Sequence, residues 1–170
     1  MATKAVTLVA CAILSMSATV RADTITVQKP VPFANPDQVA DKIKNECPIG
    51  NQVSDFVKQY AEADKLTVEF ATGTLDTSHG KVLEMQIGDA ESSGSAMAWG
   101  GHHKSLVVRG NYYVDGKKVA SVIARRDSMG GMWGAYKSSC AVLGGTAKAV
   151  GRDIATWLKN PVDGARLGDL

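Results

Sequence analysis

Three groups of residues in this 170-residue chain are of a type and spacing that could do chemistry. The first is Trp99-Gly100-Gly101-His102-His103. Imidazoles ligate transition metals, and His79 or a carboxylate could add a further ligand. Adjacent histidines, however, point to opposite faces of a strand, or about 100° apart on a helix, and do not close on one ion. No metal site is therefore expected, and Trp99, His102 and His103 stand as candidate binding residues. The second group is Arg125-Arg126-Asp127-Ser128, followed by Met129-Gly130-Gly131-Met132-Trp133. Glycines between a strand and a helix can turn backbone N–H groups towards an anion, and arginines add charge. No Gly-Lys-Ser/Thr follows, so this is not a nucleotide phosphate loop. Arg125, Arg126, Ser128, Gly130, Gly131 and Trp133 are candidate binding residues in what is otherwise a glycine-rich strand-to-helix crossover. No Gly-x-Ser-x-Gly elbow is present, and Asp89 and Glu91 form no acid–base pair with a reason for shifted pKa values. The reading leans against an enzyme, with no cofactor.

The third group is the cysteines, and it depends on how the chain begins. Residues 1–22 carry Lys4, then an uncharged and mostly apolar run from Ala5 to about Ala18, and end on Val20-Arg21-Ala22. A run of that length suits the core of a secretory signal peptide and falls short of a membrane-spanning helix. The expected domain organisation is a signal peptide over 1–22 and one domain over 23–170. Leu8-Val9-Ala10-Cys11 also fits a lipobox, which would lipidate Cys11 and tether the protein to a membrane. Against it, the apolar run continues past Cys11. Cleavage after Ala22 removes Cys11 and leaves Cys47 and Cys140, which in an oxidising compartment are expected to form one disulfide. The cut also removes Lys4 and Arg21, so the 19 basic and 17 acidic side chains become 17 and 17. A formally neutral mature chain argues against nucleic acid or an anionic membrane surface as partner. No later segment is apolar enough to span a bilayer.

Certain elements must position these residues. Residues 23–32 read as an extended, proline-bearing edge strand or arm. Asn35-Pro36-Asp37 opens a short helix with Val39, Ile43 and Cys47 on one stripe, and Asn51 caps a second with Val53, Phe56, Val57 and Tyr60. Leu66, Val68 and Phe70, and then Leu83, Met85 and Ile87, alternate as half-buried strands do. Residues 88–103 lack periodicity and read as a long loop. Asp115-Gly116 between LVVRGNYYV and KKVASVIARR is a strong hairpin signal. Cys140, Leu143, Ala147, Val150, Ile154 and Trp157 lie on one face of a closing helix over about 139–159, which Asn160-Pro161 ends. Its Gly144, Gly145 and Gly151 suggest close packing against the sheet. The tail VDGARLGDL reads as loosely held. The expected fold class is α+β: a two-layer domain with a mostly antiparallel sheet, two amino-terminal helices and one long carboxy-terminal helix.

The stretch from LEMQIGDAESSG through KSLVVRGNYYVDGKKVASVIARRDSMGG to CAVLGGTAKAVGRDIATWL resembles uncharacterised exported proteins and lipoproteins of Gram-negative bacteria. More distantly, it resembles the amino-terminal domain of TolB and related cell-envelope accessory proteins. The resemblance implies an envelope protein that works by binding, and it brings no catalytic residues with it. The expectation is therefore a non-enzymatic periplasmic or secreted binding or accessory protein. Its partner would be an envelope protein or a small ligand. The alternative is a small exported enzyme or metal-binding protein using the His102-His103 loop.

Overall fold

A computed structural model of the protein describes residues 24–71, 73–93, 103–128 and 138–170. Strand β1 (Thr24–Val27) leads through a 3₁₀ turn (Pro36–Gln38) to α1 (Asp41–Glu46), α2 (Ile49–Ala63) and β2 (Thr67–Phe70). Then come β3 (Lys81–Ser93), β4 (His103–Val114), β5 (Lys117–Ser128), α3 (Ser139–Leu158) and β6 (Ala165–Gly168). The strands form one sheet in the order β2-β1-β3-β4-β5-β6.

The fold is α+β, but the sheet is mixed rather than mostly antiparallel. Strand β1 runs parallel to both β2 and β3, and β6 runs parallel to β5. The antiparallel pairs are β3–β4 and β4–β5. Connection chemistry explains the mixture. A tight turn returns the chain antiparallel, whereas a helix packed on the sheet carries it back to the starting end and delivers the next strand parallel. Helices α1 and α2 lie between β1 and β2, and α3 lies between β5 and β6, so both flanks of the sheet are parallel crossovers.

Three expectations are corrected at the strands. Residues 24–27 are an internal strand, not an edge or arm. Ile25 and Val27 are buried, and Pro30 and Pro32 follow the strand and so remove none of its hydrogen bonds. The supposed loop over 88–103 is partly sheet, since β3 continues to Ser93 and β4 begins at His103. A register shift between Ile87 and Asp89 interrupts the alternation there, which hides the strand from a period-two reading. The tail is held rather than loose. Its residues 165–168 pair with Val122–Arg125, and the Asp169 N–H donates to the Arg125 carbonyl at 2.9 Å.

All three helices serve one face of the sheet. Met85 and Ile87 of β3, Leu106 and Val108 of β4, and Val122 and Ala124 of β5 are buried against Val53 and Val57 of α2 and Leu143, Val150 and Ile154 of α3. Each of these side chains except the smaller Ala124 stabilises the fold by roughly 1.5–3 kcal/mol through apolar burial. Trp157 meets Tyr112 edge to face, with ring centroids 6.3 Å apart, and donates its indole N–H to the Val162 carbonyl. The closing helix follows the expected stripe, but its glycine packs on a helix and not on the sheet. A Cβ on Gly151 would lie 2.6 Å from the Phe56 Cβ, so α2 and α3 touch almost backbone to backbone there. Capping also differs. Asn35 makes no side-chain cap, and α2 starts at Ile49, before Asn51. Ser138 does cap α3, its Oγ accepting from the Ala141 N–H at 3.2 Å. Cys47, at the end of α1, and Cys140, in the first turn of α3, form a disulfide with Cα atoms 5.1 Å apart. Among the described residues no helix is long and apolar enough to cross a membrane.

Candidate functional site

Among the described residues the helices lie on one side and the other face of the central sheet is open, and strand alternation decides what it presents. Residues one step out of phase with the core point there: Glu84 and Gln86 on β3, Arg109, Asn111 and Tyr113 on β4, Ser121 and Ile123 on β5, and Arg166 on β6. Register aligns them into two rows across the strands. One row is Gln86–Arg109–Ile123–Arg166, and the next is Glu84–Asn111–Ser121. These rows floor a groove of about 390 Å³, a volume within the usual range for small-ligand sites.

The polar groups divide into engaged and unengaged. The Glu84 carboxylate accepts from the Asn111 amide at 3.3 Å and the Tyr113 hydroxyl at 3.2 Å. Burial, then the Glu84 charge and its hydrogen bond, push the Tyr113 phenol above its ordinary pKa. The Ser121 hydroxyl donates to Asp163 at 2.6 Å and accepts from the Gly164 N–H at 3.1 Å. That bond is the main reason the Asp163 carboxyl is held below its usual range. Arg109 and Arg166 are different. Both are exposed, and neither side chain has an ion-pair or hydrogen-bond partner among the described residues. The Arg109 guanidinium lies over Gly88, where a Cβ would come within 3.2 Å of its Nη1. The arrangement is a polar floor with Arg109 and Arg166 on either side of Ile123, and the exposed Lys118 also lines the groove.

The residues singled out from the sequence fall in different places. Arg125 and Arg126 are neighbours on β5 and so face opposite sides of the sheet. Arg125 donates through Nε to Asp127 at 3.1 Å. Arg126 turns to the helix side, where Nε and Nη2 grip the two oxygens of Asp153 on α3 at 2.7 and 3.1 Å and Nη1 reaches Asp169 at 3.3 Å. Its fork is thus occupied by two carboxylates that tie α3 and the carboxy terminus to β5. Ser128 ends β5 opposite Lys104, and His103 opens β4 opposite Ser93. Trp99, His102, Gly130, Gly131 and Trp133 lie outside the described residues. Among the described residues no three His, Cys, Asp or Glu side chains cluster as metal ligands would.

The sequence reading missed the open-face residues Gln86, Arg109, Asn111 and Arg166. For the first three the signal was present: Gln86 alternates with Met85 and Ile87, and Arg109 and Asn111 alternate with Val108 and Tyr112, so each lies out of phase with the core face of its strand. For Arg166 it was not, because four residues with two glycines nearby carry no strand pattern.

No family model matches the chain, and no curated protein matches it in sequence. Solved structures do match in shape. A Xanthomonas campestris protein of family DUF330 aligns with a TM-score of 0.52 at 16% identity, over 81% of this chain and 83% of its own. A minor lipoprotein of Acinetobacter baumannii aligns with a TM-score of 0.47 at 10% identity, over 80% and 90%. PelC of Paraburkholderia phytofirmans, solved as a dodecamer, aligns with a TM-score of 0.46 at 12% identity, over 78% and 88%. At these identities the likeness is one of fold, and the DUF330 protein carries it.

Proposed function

We propose that the protein is an exported, non-enzymatic binding or accessory protein of the Gram-negative cell envelope, and that the open face of its sheet is the binding surface. The observation that carries this reading is the one-sided architecture: among the described residues three helices cover one face, and the other presents a polar groove with two arginines that have no partner there. A surface built only for solubility gains nothing from leaving like charges uncompensated over a concave floor. Three further features support it. Residues 1–22 have the form of a cleaved signal, the Cys47–Cys140 bridge suits an oxidising compartment, and the fold is like that of a bacterial protein of family DUF330. In this reading the mature protein begins at Asp23 and forms one domain in the periplasm or the medium.

The test has two parts. Intact-mass measurement on fractionated cells should find a chain starting at Asp23 in the soluble envelope fraction. A mass fitting a diacylated Cys11 would change the location to membrane-tethered, and a full-length cytoplasmic chain would reject export. A photo-crosslinking residue at Asn111 should then give envelope adducts that the same residue at Lys148, exposed on α3, does not. Adducts from Lys148 alone would move the binding surface to the helix layer.

A further inference from the structure

We propose that the groove on the open face takes a small phosphomonoester carried on a hydroxylated body, such as a sugar phosphate, with the phosphate held between Arg109 and Arg166. This rests on the open face being the binding surface, and it names the chemistry that face would recognise. Arg109 and Arg166 sit on strands two apart in the sheet, flanking Ile123 in one register row. Two strand spacings set their Cα atoms about 10 Å apart. The Arg109 guanidinium lies over Gly88 on β3, and its three-carbon stem lets it swing across β4 to meet that of Arg166 over Ile123, which offers no polar group to compete.

Charge and hydrogen-bond capacity then select the ligand. Two unpaired guanidiniums match the charge of a phosphomonoester, about −2 at neutral pH, and its three free oxygens can accept from both forks. A lone carboxylate satisfies one fork and leaves the other cation unmatched. The next row decides what else the ligand carries. Glu84 lies beside the arginine row and holds an acceptor-only carboxylate on the floor of the groove. A second anionic group set over Glu84 would be repelled, and Lys118, at the turn end of β5, is left to contact the body of the ligand. Hydroxyls would instead donate to Glu84 and exchange hydrogen bonds with the amides of Gln86 and Asn111. A dicarboxylate is therefore disfavoured, and a phosphorylated polyol fits.

Isothermal titration of the purified, disulfide-bonded protein tests this with glucose 6-phosphate, glucose and succinate as probes. Glucose 6-phosphate should bind, glucose should not, and succinate should bind at least about tenfold more weakly. Arg109→Gln and Arg166→Gln should each weaken glucose 6-phosphate binding by about tenfold or more while leaving the melting temperature unmoved, since neither side chain has a hydrogen-bond or ion-pair partner among the described residues. Glu84→Gln should not rescue those losses. Absence of glucose 6-phosphate binding, equal binding of succinate, or an unchanged affinity in the Arg109→Gln/Arg166→Gln double variant would overturn the proposal. Export is read separately from the amino terminus, so an exported protein that ignores the phosphate overturns this inference alone.

Discussion

Arg126 shows how much one side chain can organise. Its fork spans three segments distant in sequence: β5, α3 through Asp153, and the carboxy terminus through Asp169, which also accepts from the Asp127 N–H at 3.0 Å. The two Asp153 bonds, foremost, hold the guanidinium more firmly protonated than a free one. The Asp153 side chain is 15% exposed and that of Arg126 29%, so the pair is neither screened like a surface bridge nor as costly as a fully buried one. Arg126→Ala is expected to cost about 1–3 kcal/mol, and Arg126→Lys to recover less than half because an ammonium cannot serve both oxygens at once. Urea denaturation of the three proteins measures this directly. That Arg125 and Arg126 face opposite sides follows from strand alternation alone. That Arg126 meets Asp153 and Asp169 does not, because 27 and 43 residues separate the partners.

At the scale of elements, the β4–β5 hairpin and the disulfide are the features most open to test. Asp115 and Gly116 both have positive φ, 47° and 82°, as the Asp-Gly signal requires of a turn matching the strand twist. The turn is also docked: the Asp115 N–H donates to the Gly80 carbonyl at 2.8 Å, and its carboxylate accepts from the Gly80 N–H at 2.9 Å. Gly116→Val should therefore destabilise by roughly 1–3 kcal/mol through a β-branched residue forced to positive φ. A melting temperature equal to that of the parent would refute this account of the turn. The Cys47–Cys140 bridge joins α1 to the first turn of α3 across 93 residues of sequence. Reduction, or Cys140→Ser, should cost about 2–5 kcal/mol, part of it through the freer unfolded chain. Denaturation with and without reductant reads the difference, and coincident curves would mean the bridge is dispensable.

For the whole molecule, one core beneath one sheet leads us to expect one thermal transition, and charge sets its dependence on pH. Hydrogen bonds from the Ser78 hydroxyl and N–H hold the Asp76 carboxyl low, and that from Ser121 does the same for Asp163. A folded pKa below the unfolded one adds stability above the usual carboxylate range and loses it as pH falls through the folded value. The melting temperature should thus hold down to about pH 4 and fall below it, with Ser121→Ala reducing the drop. Tyr113 has the opposite sign. Its folded pKa is raised, so its contribution is intact below about pH 10 and is lost as pH rises further. Tyr113→Phe should remove that alkaline step, and a scan of melting temperature against pH follows both limbs.

The sequence by itself determined whatever depends on local periodicity and backbone chemistry. The stripe from Leu143 to Trp157 is a helix because only a helix brings those residues to one face. The strands around Asp115-Gly116 pair because that dipeptide admits positive φ at both positions. Local alternation also records which strand residues share a face, so Arg109 and Asn111 were legible together. It does not record which strand lies alongside or in which direction. Residues 24–27 became an internal strand, and Ala165–Gly168 a strand at all, because each pairs with ladder groups on a neighbour far away in sequence: β2 comes back beside β1, and β6 beside β5, only after a helical crossover. Backbone N–H and C=O groups must be paired when buried, and the free edge that pairs them exists only once the sheet has assembled. The groove is decided at the same moment. Arg109 and Arg166 become neighbours across Ile123 only because β5 and β6 take a register that no local pattern of the last six residues contains.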